Sequence, residues 1–414
     1  MTSSVGARAL RRGRAAAKLS ALHVAADAPV LHRELGRLDH GRAGPTLLVL
    51  AGIHGNEPSG VTAVRRVVAE LQQRDAELRG RIVALAGNMP ALAAGKRYLA
   101  RDLNRGWLPA SLSALAARDP AQDSPEDAQQ RELLARFDEV VRTARGPVVF
   151  LDLHSSSADG PPFLCLADTT DNRDLALATG VPIILGIEET IDGASLEWFA
   201  SRGIVAIAAE GGRHQQPDTV ANHEAVLWLV LGHLGMIDAR VVDVERHRAH
   251  LRRATAGAPP IVEITHRRAI TAEDGFVMVP GFVNFQAVEK GDLLAHDRNG
   301  EIRARSDCRM LLPLYQALGD DGYFLARPVR RFWLEVARWL RRARLDRIVH
   351  WLPGVRRDPA DPLTILVDPL VARWFVTEIF HLLGFRRLRR RGNRLAFSRR
   401  WSRPENARLG RRVP

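Results

Sequence analysis

Thiols and ammonium groups are the scarcest chemistry in this chain. Its 414 residues include two cysteines, Cys165 and Cys308, and three lysines, Lys18, Lys96 and Lys290. Two thiols without Cys-x-x-Cys spacing exclude a disulfide-stapled scaffold and a thiolate zinc site, and leave both as small apolar residues. No stretch reaches the ~18 apolar residues that a membrane-spanning helix needs. A secretory leader is not evident, because the basic patch Arg8 to Lys18 runs into a weak segment broken by His23 and Asp27. A soluble cytoplasmic protein is the expectation. With lysine so rare, the formal net charge of +13 rests almost wholly on arginine. The 46% hydrophobic content is ample for a core, and the length exceeds one ordinary domain.

What is present is a set of polar residues at the ends of short apolar runs. Thr46 to Leu50 reads as a buried strand; Gly52 and Gly55 allow a sharp turn after it, and Pro58 suits a first helical turn. Between them His54 and Glu57 are presented on a strand-to-helix loop, where α/β proteins gather their chemistry. Imidazole plus carboxylate is a pairing that zinc favours, and a catalytic zinc takes three protein ligands. Val148-Val149-Phe150-Leu151 is a second such run, ending in Asp152-Leu153-His154. His154 would face a cleft as the third ligand. Asp152, two residues earlier, shares its face and could accept the free N–H of that imidazole. Taken alone, His154 also fits an ordinary strand-end hydrogen bond; beside His54 and Glu57 it reads as a ligand.

A third run, Ile204 to Ala209, leads into Glu210-Gly211-Gly212-Arg213-His214. A carboxylate at a strand tip with glycines beside it could take a proton from metal-activated water, although a loop charge is the plainer reading of Glu210 by itself. His214 reads as a polar loop residue. Lys96, Arg97, Arg101 and Arg105 crowd ten residues together with Asn104, just past the strand Arg81 to Ala86. They could fork a carboxylate and polarise a carbonyl, or form a solvated basic loop.

The order Gly-x-His-Gly-Asn-Glu, Arg-Tyr…Asp-Leu-Asn-Arg, Asp-Leu-His, Glu-x-Gly resembles the succinylglutamate desuccinylase/aspartoacylase family, over roughly Thr46 to Arg327. The resemblance implies a zinc hydrolase on a zinc-carboxypeptidase-like fold, with one Zn2+ per chain held by His54, Glu57 and His154. It implies Glu210 as general base and acid, Arg97 polarising the scissile carbonyl, and Asn104 with Arg105 holding the carboxylate of a small substrate. Where members specific for aspartate and glutamate place a further arginine, this chain runs Ser155-Ser156-Ser157-Ala158-Asp159-Gly160-Pro161-Pro162-Phe163. In that segment it looks more like a bacterial branch of the family without a characterised member.

The expected organisation is a basic segment over 1–30, an α/β catalytic domain over 31–246, a β-rich module over 261–327 and an Arg/Trp-rich extension over 328–414. The catalytic part should be a mixed sheet flanked by helices such as Val61 to Leu78 and Asp127 to Arg142. A polar linker is expected from His247 to Pro260. Strand-like runs follow at Ile261–Ile264, Gly281–Phe285 and Val288–Ala295, with a hairpin turn over Asp297–Ile302. This part resembles the family's small barrel-like module, from which Tyr315 could reach the substrate. From Arg327 onward the chain carries 23 arginines against seven carboxylates, with five of its eight tryptophans: Trp333, Trp339, Trp351, Trp374 and Trp401. A helix over Phe332 to Leu345 would gather Phe332, Leu334, Val336, Trp339 and Leu340 on one side, with its arginines mostly elsewhere. Such a basic helical tail fits contact with an anionic membrane surface, which would make the protein peripheral there, or a structural or protein-contact extension. Nucleic acid is the weaker reading.

The residues together point to a zinc-dependent deacylase cleaving the amide, or ester, bond of a small N-acyl amino acid or related acyl compound. Two other readings stay open: a carboxypeptidase-like metallopeptidase, and a non-catalytic binding protein acting through its basic tail.

Overall fold

Alternation along one strand sets the layout of this molecule. In a computed structural model, Val148–Ser156 is an extended strand buried along its whole length, and its successive side chains face opposite sides of the sheet. Leu153 meets the helix Ser59–Gln73, where Gly60 comes so close that an added Cβ would lie 2.7 Å from the Leu153 Cβ. Phe150, Asp152 and His154 share the other side. Phe150 stacks on Phe199 at 3.9 Å, and Phe137 packs edge-on to Phe150. The side that begins as aromatic core therefore ends as imidazole and carboxylate.

The structure describes residues 31–74, 77–238, 243–345, 348–359, 364–368, 371, 380, 383, 385–391 and 394–399. The expected basic segment over 1–30 and Trp374 and Trp401 lie outside them. From Arg33 onward the chain forms one compact unit. Its strands are β1 (Glu34–Asp39), β2 (Thr46–Ala51), β3 (Arg81–Ala86), β4 (Val148–Ser156), β5 (Phe163–Leu166), β6 (Ile183–Leu185), β7 (Val205–Arg213), β8 (Ile261–Ala269), β9 (Val277–Met278), β10 (Ala287–Val288), β11 (Leu293–Asp297), β12 (Gly300–Arg303), β13 (Cys308–Leu311) and β14 (Asp321–Pro328), then β15 (Val355–Arg357), β16 (Thr364–Val367), β17 (Phe385–Arg391) and β18 (Arg394–Arg399). Eleven of them build one mixed sheet in the order β1-β3-β2-β4-β7-β5-β6-β8-β14-β13-β10. Its centre, β3-β2-β4-β7, is parallel. Those strands are nearly unbroken apolar runs, as strands covered on both faces must be.

One face carries the helices Ser59–Gln73 and Pro217–His233, which also pack against each other. The other carries an aromatic cluster of Phe137, Phe150, Phe199, Trp107 and Trp198, contributed by β4, the helices Pro125–Arg142 and Ser195–Ser201, and the turn that holds Trp107 ahead of the first of them. The helix Pro125–Arg142 starts where Ser124 and Asp127 form a reciprocal capping box.

Four expectations need correction. The stretch His247 to Pro260 is not a linker over most of its length: Val244–Ala254 is a helix, polar on most of its surface, anchored by buried Leu251 and by His247 stacked on Trp228. Gly281–Phe285 is turn rather than strand, with Phe285 at a φ of 67°. The β-rich stretch does not stand apart as a barrel. Ile261, Val262 and Glu263 pair in parallel with β6, so β8, β14, β13 and β10 continue the catalytic sheet. Only β9, β11 and β12 form a separate small sheet, whose hairpin joins Asp297 to Gly300 through Arg298 and Asn299. Lastly, the extension is not helical throughout. After the helix Arg331–Arg342 come β15 to β18 in a four-stranded sheet over Val349, Val355, Ile365, Val367 and Phe397.

Phe137 touches four other aromatic rings and is fully buried. Phe137→Ala should therefore lower unfolding free energy by about 3–5 kcal/mol, read from the midpoint of urea unfolding. A loss below about 1 kcal/mol would mean the cluster can collapse to fill the space.

Candidate functional site

The loop after β2 carries the first two site residues, and its path is dictated by glycine. Gly52 adopts a φ of 72°, and a Cβ at Gly55 would fall 2.2 Å from the carbonyl oxygen of Ala91. Only glycine fits such close backbone approach. The turn delivers His54 and Glu57 into the protein, both buried.

The two histidines face one carboxylate. His54 Nδ1 lies 2.9 Å from Glu57 Oε1 and His154 Nδ1 lies 3.1 Å from Glu57 Oε2. Ser155 N–H donates to the same Oε2 at 3.0 Å. On its far side each ring meets another buried acid: His54 Nε2 is 3.1 Å from Asp102 Oδ1, and His154 Nε2 is 3.2 Å from Asp152 Oδ2. Ligand atoms of His54, Glu57 and His154 lie within 4.8 Å of one another, a group able to hold a metal ion. The donor set fits one: two imidazoles presenting the same nitrogen, a carboxylate between them, and an acid fixing each ring from behind. Burial by itself would discharge these acids; His54 and His154 hold Glu57 well below the usual carboxylate range, and His54 and Arg97 do the same for Asp102. Burial would likewise discharge His154, but Asp152 and Glu57 push it well above the ordinary imidazole value.

Glu210 stands on β7 directly across from His154 in the parallel ladder. It is half-buried and its Oε2 has no hydrogen-bond partner within the protein. Burial, reinforced by the Glu57 charge and opposed by His154, His54 and Arg97, raises it to about 7. A carboxyl poised there can both accept and return a proton near neutrality.

Arg97 comes from the loop before Asp102. Its guanidinium donates to Asp102 Oδ2 at 3.0 Å and lies 3.6 Å from Glu57 Oε1. The loop is held from below by fully buried Glu126, which accepts from the backbone N–H groups of Leu99 and Ala100 and from Asn88. Asn104 accepts from Ser195 N–H at 2.8 Å, which leaves its NH2 as the remaining donor group. Arg105 donates to Asp321 Oδ2, on β14, at 3.1 Å.

Thus His54, Glu57, Arg97, Asn104, Arg105, Asp152, His154 and Glu210 all line one cavity, of about 1110 Å³ including its opening to solvent. Tyr315 is not brought to it. Its hydroxyl donates to Val279 O and accepts from Phe282 N–H, fastening the turn Gly281–Phe285 instead. The neighbouring Gln316 takes the cavity position, accepting from Asn56 Nδ2 at 2.7 Å. His214, read as a loop residue, bonds Ser155 Oγ at 2.8 Å through Nδ1 and lies 3.1 Å from Gln316 through Nε2. Asp102, Ser195 and Asp321 were also missed. Asp102 had a signal, a short acid two residues before Asn104 able to cap the next turn. Ser195 and Asp321 reach the site from far along the chain, with no local motif.

Residues 43–209 match the family model described as the succinylglutamate desuccinylase/aspartoacylase catalytic domain. A succinylglutamate desuccinylase of Burkholderia pseudomallei is 33% identical over 113 residues, which are 27% of this chain and 31% of that protein. The chain thus spans about a third of the length of the curated relatives it matches. The crystal structure of a succinylglutamate desuccinylase/aspartoacylase from Rhodobacter sphaeroides superposes with a TM-score of 0.52 at 20% identity, over 70% of this chain and 86% of that one. The product-bound ectoine utilization protein EutE (DoeB) from Ruegeria pomeroyi does so with a TM-score of 0.50 at 21% identity, over 70% and 86%. These two share the fold. Over residues 43–209 the chain is similar to the catalytic domain of the succinylglutamate desuccinylase/aspartoacylase family.

Proposed function

We propose that this protein is a zinc-dependent hydrolase that cleaves the amide bond of a small N-acyl amino acid or a related acyl compound. The observation that carries the reading is the convergence of the two Nδ1 atoms on Glu57, with Glu210 at about 7 across the ladder from His154. His54, Glu57 and His154 would hold the ion. When bound, zinc supplies charge that acidifies water and polarises a carbonyl.

The chain's own groups supply the rest. Glu210 takes the proton from the attacking water and returns it to the departing amine. Arg97, fixed by Asp102, stabilises the negative charge that grows on the carbonyl oxygen. The Asn104 amide and Arg105, steered by Asp321, hold the substrate's carboxylate and so fix the angle of attack. The Asn56–Gln316 bond ties the ligand loop to the β13–β14 connection across the cavity, which supports small substrates over an extended peptide.

The cavity also bears on the acyl group. Ala208 lies two residues before Glu210 on β7, on the same face, and Cys165 sits opposite it in register. With Ile187, Ile191, Leu196 and Phe324 they give that end an apolar lining. Among the described residues, Arg97 and Arg105 are the arginines of the lining, and both are already paired with carboxylates. A second substrate carboxylate would enter without a free cation, so a hydrocarbon acyl group fits better than a dicarboxylic one.

Protein loaded with zinc and stripped of excess should retain one ion per chain. His154→Ala should lose it, and Asp152→Asn should weaken it by about 10–100-fold, read by chelator competition. Undiminished zinc in a His54→Ala, His154→Ala double variant would remove the proposed site. In a panel of N-acyl amino acids scored for free amine, short hydrocarbon acyl groups should be released faster than succinyl. Glu210→Gln should keep its zinc yet lose about 10²–10⁴-fold in kcat; full turnover in that variant would assign the base elsewhere.

A further inference from the structure

The tryptophans among the described residues divide sharply by environment. Trp107, Trp198 and Trp228 are at most 2% exposed, as rings of that size normally are in a core. Beyond β14, Trp333, Trp339 and Trp351 are 47%, 65% and 76% exposed, and Phe332, Ile348 and Leu352 are exposed beside them in sequence.

The helix Arg331–Arg342 explains the first half of this group. Arg338 pairs with Asp174 at 2.9 Å and Arg341 with Asp168 at 3.1 Å, both acids of the catalytic part, and the neighbouring Ala337 is buried. Phe332 and Trp339 are seven residues apart, within about 20° on a helix, so both occupy the face turned away from Ala337. Phe332 packs edge-on to Trp333, 5.5 Å between centroids. Leu340 on the helix and Leu345 past it pack on the small core of the extension, while Trp351 and Leu352 stay outside it. The aromatics are thus held outward by a rooted helix and a rooted turn.

Charge says what would cover them. Arg330, Arg342, Arg356 and Arg394 are exposed in the same extension, and Glu335 is its one exposed carboxylate among the described residues, paired with Arg338. A second copy would bring the same arginine excess against itself. Tryptophan and arginine side by side suit a surface that is apolar below and anionic above, because indole rings settle at the headgroup level while guanidinium groups meet lipid phosphates. We propose that the exposed aromatic face of Arg331–Arg342, with Trp351 and Leu352, docks this enzyme onto an anionic lipid bilayer.

The test is sedimentation of the full chain with vesicles of phosphatidylcholine, alone or with one quarter phosphatidylglycerol, at low and high salt. Binding should require the anionic lipid, should weaken in salt through screening, and should shift tryptophan emission to the blue. A Phe332→Ser, Trp339→Ser variant should bind at least about tenfold more weakly while hydrolysing small substrates at the wild-type rate, since neither residue touches the cavity. A Trp351→Ser, Leu352→Ser variant tests the turn separately. No binding to anionic vesicles at low salt would overturn the proposal, as would equal binding by both variants. So would self-association abolished by the same substitutions, or retention by nucleic acid without any by vesicles.

Discussion

Everything at the centre of this protein depends on how one carboxylate is shared. Both oxygens of Glu57 are committed, one to His54 and one to His154 and the Ser155 amide. An isolated carboxylate buried this deeply would be costly enough to neutralise. It stays charged because two imidazoles converge on it, and the imidazoles are in turn held by Asp102 and Asp152. Asp102 also gathers Arg97 and the Asn104 N–H; Asp152 also accepts from Ser195 Oγ. His54, Glu57, His154, Arg97 and Asn104, the groups proposed as ligands, carbonyl-facing cation and substrate-facing amide, are therefore one bonded network.

The network explains why Glu210 differs from its neighbours. It occupies the ladder position beside His154 but receives no stabilising hydrogen bond on Oε2, so burial raises it while Glu57 and Asp102 are depressed. Neighbouring carboxylates are thus pushed in opposite directions, Glu57 and Asp102 toward permanent charge and Glu210 toward exchange near neutrality.

Much of this was legible in the sequence wherever the information was local. The apolar runs ending in His54, His154 and Glu210 gave the parallel strands, because a strand buried on both faces has to be apolar throughout. Period two alone put Asp152 beside His154. The hairpin at Asp297–Gly300 followed from its turn residues. What failed was non-local. Ser195 and Asp321 enter the site by tertiary packing, and Tyr315 is spent on a turn while Gln316 faces the cavity. The helix Val244–Ala254 was hidden because Leu251 is its one buried residue among the described ones, with His247 on Trp228 and His250 on Asn222 completing the attachment. The orientation of Arg331–Arg342 had no local signal, because Asp168 and Asp174, both far upstream, supply the partners that draw Arg341 and Arg338 inward. An amphipathic pattern tells that a helix has two faces, and the neighbours decide which is covered.

His54, Glu57 and His154 are proposed to hold zinc together. X-ray absorption at the zinc edge of the loaded protein tests it most directly. It should show nitrogen and oxygen neighbours at about 2.0–2.2 Å, with the outer-shell scattering of two imidazole rings reduced to one in His154→Gln. Sulfur at about 2.3 Å, or a shell unchanged by that substitution, would contradict it.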